Sequence, residues 1–298
     1  MKRVVYGIAG TIRRVGTPLL VLLLTAAAAT GQEWEDDILQ EESGQFSTTV
    51  GIAWDSKYVW RGFDIFDGKG ATHLSVDMNL WNTGFGLGVV GHRATAGGFE
   101  DRERWDGTFY YQGSLGEGDV LATNFRVGYV YYLFPELNDG ESMDMQEGQL
   151  VLAWPNVSPI PGLQPSYALI AMGQAETPSI ISDGGSGLLH IGMLDYSFAT
   201  PGFMPGTDEQ IFILHSELVY NDGVTITPAR PRNDWRVVYR NPDHDFTNAV
   251  FGASTDLPLD PDGYLLLTPS VYYQITLNDT INEDDSEFWA GISLKYTF

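Results

Sequence analysis

Residues 287–298, EFWAGISLKYTF, read as the last strand of a sheet with one apolar face. Phe288, Ala290, Ile292, Leu294, Tyr296 and Phe298 share one parity, while Gly291, Ser293, Lys295 and Thr297 share the other. Successive strand side chains point to opposite faces, so a period of two gives one face for hydrocarbon and one for water. The rhythm recurs in ATHLSVDMNLW, residues 71–81. There Thr72, Leu74, Val76, Met78 and Leu80 alternate with His73, Ser75, Asp77 and Asn79.

Segments of this kind fall at about 46–60, 71–81, 84–93, 105–114, 121–134, 146–154, 165–173, 187–198, 210–221, 245–255, 264–277 and 287–298. Several have the ~9 to 11 residues that a tilted strand needs to cross a bilayer. Connectors such as WNTG and LGEGD alternate with longer ones such as ATAGGFEDRE and FPELNDGESMDM, and the longest runs from Asp222 to Asp245. Short turns on one side and longer loops on the other suit an outer-membrane barrel with both termini inward. The expected fold is therefore all-β, an antiparallel transmembrane β-barrel of 12 strands over residues 46–298. A strand at DWRVVY inside the longest loop would add a hairpin to that number. A soluble antiparallel sandwich also buries alternate residues. In lipid, however, an open sheet edge has no water to satisfy it, so the sheet must close.

The amino end fits export. Lys2, Arg3, Arg13 and Arg14 precede the apolar stretch PLLVLLLTAAAAT, and Ala27–Ala29 are small enough for signal peptidase, so residues 1–30 read as a signal peptide. The apolar run is short for a membrane helix, which needs ~20 residues. Residues 31–45 form an acidic, flexible lead-in. The whole chain has 16 Lys and Arg against 39 Asp and Glu, and removing the four leader cations takes the formal charge from -23 to -27. Such an acidic chain is poorly suited to nucleic acid. It has no cysteine, so disulfides and thiolate zinc sites are excluded.

The whole pattern resembles bacterial outer-membrane β-barrels, and the terminal aromatic strand resembles their assembly signal. That resemblance implies localisation in the bacterial outer membrane, surrounding lipids and the barrel assembly machinery as partners, and an assembly role for Tyr296 and Phe298. More locally, Ser56, Tyr58, Arg61 and Gly62 in VGIAWDSKYVWRGFDIFDG resemble the S-x-Y-x-x-R-G segment of an uncharacterised family of predicted outer-membrane proteins. The flanks differ from that family's more familiar Arg-Gly-Ile-Ser form, and the resemblance implies no chemical reaction. Physically, Arg61 at the outer end of the first strand would brace lumen or loop carboxylates, and Gly62 would allow a sharp turn.

The polar parity nominates the lumen and pore-mouth candidates: Arg61, His73, Asp77, Asn124, Arg126, His215, Glu217, Gln274 and Lys295. They would line a wet passage for small hydrophilic solutes, giving a porin-like channel. Alternatively Arg126, Lys295, Asp77 and Glu217 would form an ionic plug in a non-conducting structural or surface-interaction barrel. A lipid hydrolase is the weakest reading. His215 and Ser216 point to opposite faces, and His190 lies on the apolar parity without an accompanying nucleophile motif. No catalytic residue, metal site or cofactor is expected. Divalent cations would be partners only at acidic loops, for instance NDTINEDDSE, residues 278–287.

Overall fold

The computed structural model describes residues 46–136, 144–175, 186–203, 208–224, 244–278 and 286–298. The leader, the acidic lead-in, DWRVVY and the body of the acidic stretch 278–287 lie outside them. The chain forms β1 (Ser47–Asp55), β2 (Ala71–Asn79), β3 (Phe85–Ala94), β4 (Arg104–Leu115), β5 (Thr123–Leu133) and β6 (Met145–Ala153). It continues as β7 (Leu163–Gln174), β8 (Ser186–Pro201), β9 (Glu209–Asp222), β10 (His244–Thr255), β11 (Leu265–Thr276) and β12 (Ser286–Thr297). Each pairs antiparallel with its neighbour in sequence. β12 returns to β1 with Gly51 opposite Lys295 and Asp55 opposite Gly291, which closes a 12-stranded barrel. Every strand edge inside the membrane is thereby paired.

Which parity faces out follows the alternation. Ile52, Trp54, Leu74, Val76, Leu87, Val89, Val127, Leu214, Leu218, Val271, Ile292 and Tyr296 are exposed on the outer surface. Their sequence neighbours Ala53, His73, Val90, His215, Glu217, Tyr272 and Lys295 are buried inside. Apolar groups around a closed sheet, with carboxylates and imidazoles within it, define a protein dissolved in lipid. The chain is a closed antiparallel barrel with the surface of a transmembrane protein.

Both barrel termini lie at one end, with the connections 80–84, 116–122, 154–162, 202–208 and 256–264. The connections at the other end are mostly longer: 56–70, 95–103, 134–144, 175–185, 223–243 and 277–285. In outer-membrane barrels with this asymmetry the first kind of end is periplasmic and the second extracellular, and the two ends are named accordingly. Aromatic rings gather at the periplasmic end, including Phe46 against Trp81, Phe85 against Tyr111, Phe198 against Phe212 and Tyr296 against Phe298. Such amphipathic rings settle at the lipid-water boundary.

The first strand departs from expectation. It ends at Asp55 instead of running to residue 60, and residues 56–70 do not project outward as a polar loop. Val59–Trp60 pairs with Phe63–Asp64 in a short hairpin that lies inside the barrel. At its tip Arg61 and Gly62 have φ of 52° and 91°, giving the two positive angles of a type I′ turn. The hairpin's apolar content explains its position. Tyr58, Trp60, Ile65 and Phe66 join one core cluster with Ala168, Ile170 and Met172 of β7, and with Leu189, Ile191 and Met193 of β8. Those strands are apolar inward as well as outward, so their inner side needs an apolar partner.

Candidate functional site

The site is the contact between hairpin 56–70 and the barrel wall. All four residues that carried the local resemblance help to seat it. Ser56 donates its backbone N–H to the Ala290 carbonyl at 2.8 Å and accepts the Ala290 N–H on Oγ at 2.9 Å, anchoring the hairpin's root to β12. Tyr58 stacks on His92, with centroids 5.1 Å apart, and its hydroxyl accepts from Arg104 Nη2 at 3.0 Å. Arg61 donates from Nη2 to Glu147 Oε2 at 3.1 Å. Gly62 turns the tip, and its carbonyl accepts from Gln274 Nε2 at 2.9 Å.

Around these anchors lie three charged groups, two within the wall and one between the wall and the hairpin. In the first, Arg104 of β4 pairs with Asp106 at 2.9 Å and lies 4.2 Å from the centroid of Trp60 and 4.7 Å from that of Tyr132. Asp106 also meets His92 Nε2 at 3.0 Å, His92 Nδ1 faces His73 Nδ1 at 2.7 Å, and His73 Nε2 reaches Asp55 at 3.1 Å. The Nδ1 contact requires one of those nitrogens to be unprotonated, because two donors cannot face each other at hydrogen-bond distance. In the second group, His215 Nδ1 meets Asp195 Oδ1 at 2.5 Å and His215 Nε2 lies 3.7 Å from Glu217. In the third, Lys57 pairs with Glu287 and lies 3.8 Å from Asp64.

The remaining candidates lie nearer the periplasmic end. Arg126 donates to Gln112 Oε1 from Nε at 2.9 Å and from Nη2 at 2.6 Å, and sits 3.9 Å from the Tyr110 ring centroid. Tyr110 donates to Asp77 at 2.7 Å, and Asp77 also feels the charges of Arg126 and Lys295. Asn124 accepts from Ser114 at 2.8 Å. Tyr110 lies over Gly86, where a Cβ would come within 2.0 Å of the ring. Asp77, Arg126 and Lys295 thus form one local group, whereas Glu217 belongs to the distant His215–Asp195 group. His73 contacts Asp55 and His92, so the polar wall is organised across strands rather than along one.

His190 faces outward and meets the Tyr167 hydroxyl at 2.6 Å, without an accompanying serine in that contact. Tyr296 and Phe298 stack at 6.0 Å on the outer surface, and Phe298 exchanges backbone hydrogen bonds with Thr48. Among the described residues no group of three or more His, Asp or Glu is arranged to hold a metal ion.

Sequence parity nominated Arg61, His73 and His215 but missed the residues that they meet, Glu147, His92, Asp55 and Asp195, and it missed the contacts among Tyr58, Trp60, His92, Arg104 and Asp106, of which only Tyr58 was singled out, through the resemblance. The available signal lay in β7 and β8, whose YALIAM and LLHIGML stretches are apolar on both parities. An inner face of that kind in a barrel calls for an apolar occupant, and VWRGFDIF is a segment able to supply it.

Asp64 makes hairpin seating sensitive to pH. Burial raises its carboxyl to about 6, against the opposing pulls of the Gly68 N–H and Lys57. Glu287 and Asp67 push in the same direction as burial. A carboxyl whose docked pKa exceeds its free value favours docking below that range and loses this contribution as pH rises through the docked pKa. Seating is therefore expected to tighten as pH falls from above 6 toward 4, and Asp64→Asn should flatten this part of the response. Bilayer recordings of both forms across that window would check it. Identical pH dependence in the two would remove Asp64 from the seating equilibrium.

No protein-family profile matches the chain, and no curated protein matches it. Solved structures to which it is similar include the NanC porin, at 12% identity, covering 84% of this chain and 98% of that chain, with a TM-score of 0.46. The β domain of the Bordetella autotransporter BrkA shows 12% identity over 86% of this chain and 100% of that chain, with a TM-score of 0.40. The CymD monoaromatic hydrocarbon channel shows 10% identity over 86% and 89%, with a TM-score of 0.34.

Proposed function

We propose that the protein is a porin-like channel for small hydrophilic solutes, held shut at rest by hairpin 56–70. The observation that carries this reading is the docked tip. Trp60 and Phe66 are 0% exposed, and Arg61 is buried on Glu147 inside the lumen. On the periplasmic side of the hairpin, the inward positions Ser75, Asp77, Arg126 and Ser293 keep partial exposure, as expected of a wet vestibule. A polar passage interrupted by one tethered segment can be opened without unfolding the barrel, because a hairpin and a closed sheet are separate cooperative units. The contacts of Ser56, Tyr58, Arg61 and Gly62 also make hairpin seating a physical reason for the S-x-Y-x-x-R-G pattern.

The experiment compares the mature protein with a form whose residues 57–69 are replaced by an equally long Gly-Ser linker, both inserted in planar bilayers. Rare, brief openings are expected from the first and sustained current from the second. A correctly folded linker form that passes no current would favour the second reading, a non-conducting structural or surface-interaction barrel. The continuous apolar cluster between the hairpin and β7–β8 is the observation that favours that alternative.

A further inference from the structure

We infer that the lumen is a binding site for small guanidinium-bearing cations, whose place Arg61 occupies in the closed state. This rests on the channel reading for its consequence in transport, while the binding site itself stands on the wall's chemistry. Around the hairpin the strands present six carboxylates among the described residues: Asp55, Asp106, Glu147, Asp195, Glu217 and Glu287. Arg104 is the permanent wall cation paired within this set. The hairpin adds Lys57 on Glu287 and Arg61 on Glu147. With the hairpin displaced, the wall would retain its carboxylates and lose both of those cations.

The Arg61 contact is a partial fit. Glu147 Oε2 accepts from Arg61 Nη2 and from Gln149 Nε2, whereas Glu147 Oε1 has no hydrogen bond. Arg61 Nε and Glu217 Oε2 likewise have none, and all three atoms are buried. Burial alone would make the Arg61 guanidinium easier to deprotonate, but attraction to Glu147, then Tyr132 and Glu217, raises its pKa overall. Two acidic side chains therefore act on one guanidinium that satisfies a single oxygen of one of them. A carboxylate and a guanidinium pair best through two parallel N–H···O bonds. In the docked hairpin the pair is made through one oxygen only, by a side chain whose base is fixed in a two-residue turn. A free guanidinium has no such restriction and could engage both Glu147 oxygens. An ammonium lacks the planar fork, and an anion would meet the wall carboxylates directly.

A tethered group competes at an effective concentration of about millimolar for a short linker. Removing its charge should therefore expose the site to free ligand. Arg61→Asn is the informative substitution, since Asn-Gly suits a type I′ turn and deletes the guanidinium without forbidding the hairpin. Calorimetry on the full mature chain in detergent would use methylguanidinium, methylammonium, calcium and acetate at matched ionic strength. Methylguanidinium is expected to bind R61N about tenfold or more tightly than wild type. Adding Glu147→Gln should abolish that gain, and acetate should not bind.

Equal affinity in wild type and R61N, equal binding of methylammonium or calcium, or an unchanged affinity with E147Q would overturn the inference. If R61N fails to show the heat-shifted band of a folded barrel, Arg61→Gly supplies the same comparison, because glycine accepts positive φ. Bilayer current measured in parallel separates the two readings. Selective binding with no current in any form removes the channel but leaves the site. Sustained current without guanidinium preference does the reverse.

Discussion

Arg104→Met is expected to destabilise the folded protein by about 3–5 kcal/mol, the usual cost of stranding one member of a buried ion pair. Asp106 is 0% exposed and would keep only the His92 imidazole among its side-chain partners described above, while Trp60 and Tyr132 would lose the cation against their rings. The measurement is the urea midpoint at which the heat-shifted folded band disappears. One control gives the result its meaning. The double substitution Arg104→Met with Asp106→Leu should recover much of the loss, since removing both charges leaves neither stranded. A midpoint unchanged by Arg104→Met would mean that the pair contributes little and that aromatic packing alone carries this part of the site.

Trp60→Ala should act on the hairpin while sparing the barrel. Truncating a buried tryptophan typically costs about 3–5 kcal/mol, and this side chain is wholly buried between Arg104 and Tyr132. Because each 1.4 kcal/mol is a factor of ten, the docking equilibrium should shift by roughly a hundredfold or more. The expected signature is a large rise in open time in bilayers, with the urea midpoint of the barrel nearly unchanged. Trp54→Ala provides a contrast, because that ring lies on the exposed outer surface. If folded W60A remains as silent as wild type, the apolar contacts of Tyr58, Ile65 and Phe66 are sufficient to hold the hairpin.

The barrel was legible because lipid and water impose one rule on every strand. Leu74 against His73 and Val127 against Arg126 are decided by parity alone, and the resulting strand positions lie close to those of the folded chain. The hairpin was hidden because parity treats an apolar run as wall. Val59 and Trp60 therefore read as an extension of β1, although they turn inward and pack on other strands. Their destination depends on partners far away in sequence, such as Glu147 and Gln274, that no local pattern joins to Arg61–Gly62. Charge grouping was hidden for a related reason. His215 and Glu217 share a strand face, but the short contact of His215 is with Asp195 on the neighbouring strand.

The hairpin's root on β12 also imposes a chronology. Ser56 and Ala290 are 234 residues apart, and Gly62 and Gln274 are 212 apart. Contacts of such separation require the intervening chain to be organised first. Strand β1 and its hairpin leave the ribosome early, but their sockets on Gln274, Glu287 and Trp289 arrive with the last strands. The hairpin's full set of contacts cannot be completed before the ring closes. Any assembly species that lacks its final strand therefore lacks the Ser56–Ala290 and Lys57–Glu287 anchors, making the hairpin's anchored root a natural reporter that the circle has closed.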